Sequence, residues 1–267
     1  MKLITAKLIK KSLSQFNNTA LSTLELCYPR YIHAELMTHR VFSRNAQSSR
    51  AIPVSSVIKD IVQNPVVPIF MKNQKGMQAD EYFDNIELLE LQRDWNDAKW
   101  EAIRSAEKMM EKEVHKQIAN RLLEPFSHIR VIVSATDWDN FFRLRIAPDA
   151  QQEICELAKA MKKAIESEKG DRLGLGMWHL PYITEEELKD SPIDTPDLIK
   201  MSVARCARVS YLNHDKTNPQ IDKDVSLHDF LLSSQHMSPF EHQATPEAGR
   251  SSNFLDWKQY RSKVCLA

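Results

Sequence analysis

The chain has 267 residues, and its 36 lysine and arginine residues balance 36 aspartate and glutamate residues, giving a formal net charge of zero. A chain of this length folds as one large domain or two small ones, and it can bury a sizeable core. The neutral balance argues against a protein dedicated to duplex nucleic acid, because nonspecific affinity for phosphates needs a basic excess.

Few strands and many helices are predicted, which indicates an α+β fold. In chain order, the alternating apolar residues of 23–28 predict a strand. Pro29 can open the first turn of a helix over about 30–40. The proline-containing segment 51–80 is expected to be a loop. Apolar periodicity over 84–124 then predicts one or two amphipathic helices.

The next elements predicted are one strand and two helices. The β-branched segment 128–134 predicts a strand, and Thr136 and Asp137 are expected to cap a helix that carries the aromatic residues of 138–144. A further helix is predicted over about 149–169. Two more segments rich in glycine, proline or serine are expected to be loops, 168–198 and 243–253.

Cysteine spacing and hydropathy exclude several classes of protein. None of the four cysteines stands at the spacing of a zinc or redox pair. We expect them to be reduced core residues of a cytosolic protein. No stretch approaches a membrane span, and the first residues lack a signal-peptide core, so a cytoplasmic location is expected. Five glycines and no glycine-rich motif argue against a Rossmann or P-loop site. The cysteines are Cys27, Cys155, Cys206 and Cys265.

The densest polar cluster, residues 39–50, follows directly on the first predicted helix. It holds three arginines, three serines, a histidine, an asparagine and a glutamine. Serine hydroxyls and backbone N–H groups beside arginine forks form a good phosphate cradle. A solvated loop explains the same composition, so the cluster alone does not decide between the two.

Two further clusters have both a structural and a functional interpretation. His236 and His242 flank Glu241, but their spacing is unusual for zinc and no third ligand is evident, so no metal site is predicted. A helix start at the Ser-Pro pair explains that segment equally well. Arg143 and Arg145 lie in a mostly apolar segment, where each needs a carboxylate partner or an anionic or carbonyl ligand.

Together, these clusters resemble the flavin-dependent thymidylate synthase family. The signature of that family runs Arg-His-Arg, two residues, Ser, one residue, Asn, and ends in Ser-x-Arg. Here residues 38–50 read Thr-His-Arg-Val-Phe-Ser-Arg-Asn-Ala-Gln-Ser-Ser-Arg. The chain is also similar to the family at 207–210 (Ala-Arg-Val-Ser), at 238–242 (Ser-Pro-Phe-Glu-His) and over 118–161. The resemblance leaves about 55–95 and 168–198 poorly covered.

The order of these segments is unusual. In commonly described members the segments that match 207–210 and 238–242 precede the signature, whereas here they follow it. The chain therefore resembles a circularly permuted member, a single catalytic domain over 1–267 with 168–200 as the joining linker. Because permutation requires the original termini to lie close together, residues near 15–28 and near 243–260 should be neighbours.

Three positions depart from the family pattern. Thr38 replaces the first arginine of the signature, Ala46 stands where a glutamate is common, and Glu35 stands where a glutamine is usual. The carboxylate of Glu35 would lie where a phosphate is expected. Like charges there would repel each other unless Arg44 or Arg30 compensates.

The resemblance implies a fold with a small, mostly antiparallel sheet and many helices. It implies reductive methylation of dUMP to dTMP without a protein nucleophile. The cofactor is FAD, the carbon comes from methylenetetrahydrofolate and the reductant is NADPH. The family forms homotetramers with sites built at subunit interfaces, and its small-molecule chemistry involves neither nucleic acid nor membrane.

The resemblance also implies roles for individual residues. Arg145 matches the arginine that activates the uracil, a role suited to a fixed guanidinium beside developing negative charge. Substrate-binding positions are Glu35, Gln47, Ser48, Ser49, Arg50, Arg121 and Arg145. Flavin-side positions are Thr38, His39, Arg40, Asn45, Asn140, Ser210, His236, Ser238 and Glu241.

Two other functions fit the residues. The departures at Thr38 and Ala46 favour different one-carbon chemistry on the same scaffold, such as hydroxymethylation of a pyrimidine nucleotide. The basic cluster 39–50 favours a non-catalytic protein that binds nucleotides or RNA, although the net neutrality of the chain counts against it.

Overall fold

The computed structural model describes residues 4–75, 80–189, 194–210 and 221–265, and of Ser210 only the backbone. Within these ranges the strands are β1 (Thr5–Ser14), β2 (Ala20–Pro29), β3 (Ser43–Ala46), β4 (His128–Ala135), β5 (Asp171–Leu173), β6 (Ala244–Ser251) and β7 (Phe254–Gln259). A five-stranded sheet has the order β3-β4-β2-β1-β5, and β6 pairs with β7. Only β5 runs parallel to its neighbour. The expected small, mostly antiparallel sheet is therefore confirmed.

Helices surround the sheet, as the α+β expectation requires. The α-helices of the described ranges are α1 (His33–Met37), α2 (Val54–Gln63), α3 (Asn85–Glu111), α4 (Lys116–Ala119), α5 (Asp139–Arg145), α6 (Gln152–Glu166), α7 (Glu185–Lys189), α8 (Thr195–Ala207), α9 (Ile221–Ser233) and α10 (Tyr260–Val264). Short 3-10 helices span Arg30–Ile32, Asn120–Phe126, Arg208–Ser210 and Ser238–Glu241.

The strongly periodic segments fold as predicted. Strands β2 and β4 occupy the two expected strand segments, and α3 with the shorter α4 fills 84–124. Helix α3 begins at a capping box, because the Asp84 carboxylate accepts from the backbone of Glu87 and the Glu87 side chain accepts from the backbone N–H of Asp84. Helix α6 confirms the helix expected over 149–169.

Some predicted boundaries are wrong. The helix expected over 30–40 is a 3-10 turn followed by α1, which ends at Met37. The expected cap of α5 is also wrong, because Trp138 is the capping residue and its side chain makes no capping bond. The hydroxyl of Thr136 instead accepts from the backbone N–H of Leu255 at 3.1 Å.

The three expected loops contain regular structure. Helix α2 begins directly after Pro53 in 51–80, and β6 fills most of 243–253. Segment 168–198 contains β5 and α7, with Leu180 and Ile183 buried. Proline and glycine predict loops because they break helices and strands, whereas Pro53 lies directly before its helix and interrupts no helical hydrogen bond. Parts of these segments, 76–79 and 190–193, lie outside the described residues.

The main core lies between one face of the sheet and helix α6. Alternate residues of each strand point to this face, so Leu24, Leu26 and Val131 are fully buried there. They pack against Leu157 and Met161 of α6, which are also fully buried. This packing fixes β4, and with it the adjacent strand β3, which carries part of the signature.

The opposite face of the sheet carries polar side chains beside the apolar Leu21 and Ile132, and it is covered by the last third of the chain. Five fully buried side chains form a continuous hydrogen-bond chain across it. Ser12 Oγ lies 2.9 Å from His179 Nδ1, and His179 Nε2 lies 2.9 Å from Thr23 Oγ1. Thr23 Oγ1 lies 2.6 Å from Ser134 Oγ, which lies 2.8 Å from His242 Nδ1. Burial lowers the pKa of both imidazoles, that of His242 to about 3, so both are neutral.

The two segments expected to be neighbours do contact each other. Asp256 accepts hydrogen bonds from Thr19 Oγ1 at 2.6 Å and from Asn17 Nδ2 at 3.3 Å. Trp257, fully buried, donates from its indole N–H to the carbonyl of Thr19 at 3.1 Å. The expected proximity of 15–28 and 243–260 is thus confirmed, while the circular permutation itself stays a prediction.

The cysteines largely match their prediction. Cys27, Cys155 and Cys206 are buried and free, but Cys265 is exposed and is not a core residue. No helix in the described ranges combines the length and apolarity needed to cross a bilayer. Among the same residues, no group of three or more His, Cys, Asp and Glu side chains could hold a metal ion.

Candidate active site

The site is built around Arg145, the last residue of α5. Its Nε donates to His39 Nε2 at 3.0 Å, its Nη1 to Glu35 Oε2 at 3.3 Å, and its Nη2 to Thr38 Oγ1 at 3.3 Å. Residues 35 and 38 belong to α1 and its end, and His39 follows directly. The structure therefore brings four of the sequence-predicted site residues together, from segments more than a hundred residues apart.

The imidazole of His39 is fixed in position and favours its neutral form. It lies 4.8 Å from the ring of Phe141, edge to face, and 5.9 Å from that of Phe42, stacked. Burial lowers its pKa, and the cations Arg145 and Arg44 lower it further. Because Nε2 accepts from Arg145, a neutral ring carries its proton on Nδ1. His39 thus orients the guanidinium without adding charge.

Glu35 has a different cation partner from the one expected. Its carboxylate pairs with Arg145, whereas Arg44 donates to the carbonyls of Leu36 and Met37 at 3.4 and 2.9 Å. Arg30 lies 3.8 Å from another carboxylate, that of Glu124. Arg145 therefore has the carboxylate partner that one interpretation requires. It is also open to solvent, as the alternative interpretation, an anionic or carbonyl ligand, requires.

The surface around Arg145 is cationic and apolar. The Arg145 side chain is 21% exposed. Of its five N–H groups three are used in the contacts above, so two remain for a ligand among the described residues. Arg143, two residues before Arg145, and Arg40, which follows His39, are both exposed. Three apolar side chains of the same segments are 39–43% exposed, Met37, Val41 and Leu144.

A second group of predicted residues forms the turn after β3. The backbone N–H of Gln47 donates to the carbonyl of Arg130 at 2.9 Å, which extends the pairing of β3 with β4. The buried Asn120 donates from its amide to the carbonyls of Ser49 and Ile52, at 2.7 and 3.0 Å. Within the described residues, no partner is present for its Oδ1. Sequence reasoning missed Asn120, whose only signal was its position beside Arg121.

Two exposed cations lie on this turn and on the 3-10 helix Asn120–Phe126, which contacts the turn through Asn120. Arg50 is exposed, and the carbonyl of Ser48 accepts from the backbone of Ala51 at 3.1 Å. Arg121, on the 3-10 helix, is 60% exposed and pairs with Glu124 at 2.9 Å. The turn therefore combines a hydrogen-bonded backbone with an exposed guanidinium, as an anion site requires.

The remaining predicted residues hold the last third of the chain against β3 or are exposed. Asn45 donates from its amide to the carbonyl of Cys206 at 2.8 Å. Gln259, fully buried and not predicted, donates to Ser43 Oγ at 2.8 Å and to the carbonyl of Glu241 at 3.0 Å. The carboxylate of Glu241 pairs with Arg261. Segment 238–242 is thus fixed beside the signature.

No contact among the described residues joins Asn140, His236 or Ser238 to Arg145. All three are exposed. Asn140 accepts from Arg143 at 2.7 Å, and His236 lies 3.2 Å from Ser234 Oγ. The side chain of Ser210 lies outside the described residues.

A family model described as thymidylate synthase complementing protein matches residues 2–168. The chain belongs to this family. No curated protein matches it. A solved structure of a UMP/dUMP methylase, PolB from Streptomyces cacaoi bound with 5-Br UMP, is similar at 16% identity and a TM-score of 0.51, covering 62% of this chain and 90% of that one. The same methylase bound with 5-Br dUMP has 16% identity and a TM-score of 0.47, covering 62% and 91%.

The family match confirms the resemblance for the signature and for 118–161. Both segments lie within the matched residues, as do all four residues of the Arg145 cluster. The segments 207–210 and 238–242 lie outside them. Both nevertheless lie beside β3, where Asn45 donates to the carbonyl of Cys206, the residue before 207–210, and Gln259 donates to both Ser43 and the carbonyl of Glu241.

Proposed function

We propose that this protein catalyses the reductive methylation of dUMP to dTMP in the cytoplasm, with FAD as cofactor, methylenetetrahydrofolate as carbon donor and NADPH as reductant. The observation that carries the proposal is the Arg145 guanidinium, held by Glu35, Thr38 and His39 with two N–H groups open. The fold shared with a UMP/dUMP methylase supports a pyrimidine nucleotide as substrate.

Arg145 would stabilise negative charge on the pyrimidine. Carbon–carbon bond formation at C5 requires an electron-rich ring, whose charge accumulates on the ring carbonyls. Fixed donors aimed at developing charge need no reorganisation during the reaction, and removing one such donor typically costs about 100- to 1,000-fold in rate. The contacts to three neighbours supply this fixed orientation.

Two of the buried cysteines, Cys27 and Cys206, support a reaction without a protein nucleophile. Burial raises the pKa of the Cys27 and Cys206 thiols, and a thiol is nucleophilic only as the thiolate. Cys206 is completely buried between helix α8 and the sheet. Neither side chain is placed to attack a nucleotide.

The residues around Arg145 fit a flavin dinucleotide. A pyrophosphate requires cations and a flavin ring requires apolar contact. The segment 37–41 presents exposed Met37, Arg40 and Val41, and α5 presents exposed Arg143. When bound, FAD supplies the redox step that no side chain performs. His39 and Thr38 would contact it, with further contacts from the other flavin-side residues, Asn45, Asn140, Ser210, His236, Ser238 and Glu241.

The turn after β3 would hold the nucleotide phosphate. Ser48, Ser49 and Arg50, with Gln47, would supply backbone and guanidinium donors, and Arg121 a second cation. The open Oδ1 of Asn120 lies under the same turn. As the family resemblance implies, we also propose a homotetramer whose sites form at subunit interfaces.

The test is a spectrum followed by a product analysis. The purified protein is incubated with FAD, desalted and examined for a retained flavin absorption band. It is then supplied with dUMP, methylenetetrahydrofolate and NADPH, and the mass of the nucleotide product is measured by mass spectrometry. A dTMP mass supports the proposal. A product with the mass of a hydroxymethylated nucleotide contradicts the proposed methylation. A colourless protein that retains nucleic acid contradicts the proposal that this protein is an enzyme.

A further inference from the structure

Glu35 and Arg145 present unused hydrogen-bonding atoms next to each other. Only Oε2 of Glu35 contacts Arg145, and Oε1 has no partner within the described residues. The Glu35 side chain is 34% exposed and that of Arg145 is 21% exposed, so both are open to a ligand. Arg145 retains two N–H groups there, as counted above.

The chemistry of this pair is complementary to one kind of ring edge. An ionised carboxylate can only accept hydrogen bonds and a guanidinium can only donate them. An imide edge presents an N–H flanked by carbonyl oxygens, which matches an acceptor placed beside donors. A cytosine edge presents a bare ring nitrogen beside an amino group, so it would place acceptor against acceptor and donor against donor.

The pair cannot easily rearrange to suit another ring. Thr38 accepts from Arg145 Nη2 and donates its own hydroxyl to the backbone carbonyl of Glu35 at 2.7 Å. His39 holds the guanidinium from the third side. The donors and the acceptor therefore keep their relative positions.

We infer that Glu35 is a specificity-determining residue, which accepts a hydrogen bond from the imide N–H of a uracil ring while Arg145 donates to an adjacent carbonyl. The inference rests on the proposed function, because it assumes that a pyrimidine nucleotide binds at Arg145. The inference adds to the proposed function a contact between Glu35 and the imide N–H, and this contact would exclude cytosine nucleotides.

The first experiment uses the unaltered protein loaded with FAD. Calorimetry measures its affinity for dUMP, 3-methyl-dUMP and dCMP. Both analogues lack the imide N–H, so each should bind about 10- to 100-fold more weakly, the usual effect of losing a hydrogen bond to a charged group. Equal affinity for dUMP and 3-methyl-dUMP overturns the inference but leaves the proposed function standing. If dUMP itself does not bind, both fail.

The second experiment uses Glu35→Gln. The amide can turn its N–H toward the ring nitrogen of cytosine, so the preference for dUMP over dCMP should narrow about 10-fold. Glu101→Gln, which removes an exposed carboxylate that pairs with Arg104 on α3, is the matched control and should keep the parent preference. An unchanged preference in Glu35→Gln overturns the inference.

Discussion

The Nε2 atom of His39 accepts a hydrogen bond from Arg145 at 3.0 Å, so the nitrogen that would bind a proton is already occupied by a cation's N–H. Protonation would replace this hydrogen bond with repulsion between two cations. For this reason the orientation of the guanidinium depends on pH, with Glu35 and Arg44 as the other charged groups near it.

Nucleotide turnover should therefore fall at acid pH. The pKa of His39 is lowered from 6.5, so the native state favours the neutral ring. The contribution of His39 is complete above about 6.5 and is lost as the pH falls through its lower native pKa. A profile of kcat/KM against pH should show this acid limb, and His39→Gln, which accepts without titrating, should remove it. The same limb in both proteins would show that another group titrates.

Arg145→Ala should bind FAD normally but lose turnover by at least about 100-fold, because it removes the fixed donors to the uracil carbonyl. Arg145→Lys keeps the charge without the fork and should recover only part of the rate. Flavin absorbance and single-turnover formation of dTMP measure the two properties. Turnover near the parent level in the alanine variant would exclude the activating role.

Arg50→Ala should weaken dUMP binding about 10-fold, the loss of one charged contact to a phosphate, and leave FAD binding unchanged. Arg104→Ala, a change at an exposed arginine of α3, provides the control. Separate titrations with dUMP and with FAD measure the two affinities. Equal losses for both ligands would indicate general misfolding and not a phosphate contact.

Thr23→Val should destabilise the protein by about 1–3 kcal/mol, because it leaves His179 and Ser134 without their shared hydroxyl in a fully buried position. Urea unfolding followed by circular dichroism measures the change. Thr5→Val, at the exposed start of β1, should alter stability little. A change in the free energy of unfolding as small as that of the control would mean that the buried hydrogen-bond chain contributes little to stability.

The elements that could be predicted are those with strong local patterns. Strand β2 has alternating apolar residues and β4 is rich in β-branched residues, and α3 and α6 have helical periodicity over several turns. Strand β1 was missed because Lys7, Lys10 and Lys11 obscure its pattern, and its pairing with β2 and β5 is what defines it. Tertiary pairing of this kind has no signal in a short window.

The site could be predicted only in part. The signature and Arg145 were found through a family resemblance, and the ligand-side assignments remain predictions. The pairing of Glu35 with Arg145 was not foreseen, because it joins α1 to the end of α5 across the fold. Gln259 and Asn120 were missed because single buried amides in ordinary sequence contexts resemble surface residues.

The buried hydrogen-bond chain on the face of the sheet opposite α6 couples the tautomers of two distant histidines. When Thr23 and Ser134 each donate their one hydroxyl proton within the chain, all the bonds between His179 and His242 point in the same sense. In one sense both rings carry their proton on Nε2, and in the other both carry it on Nδ1. A change of tautomer at one ring alone would turn a hydroxyl proton out of this buried chain, so a nitrogen chemical shift recorded at His242 would report the state of His179.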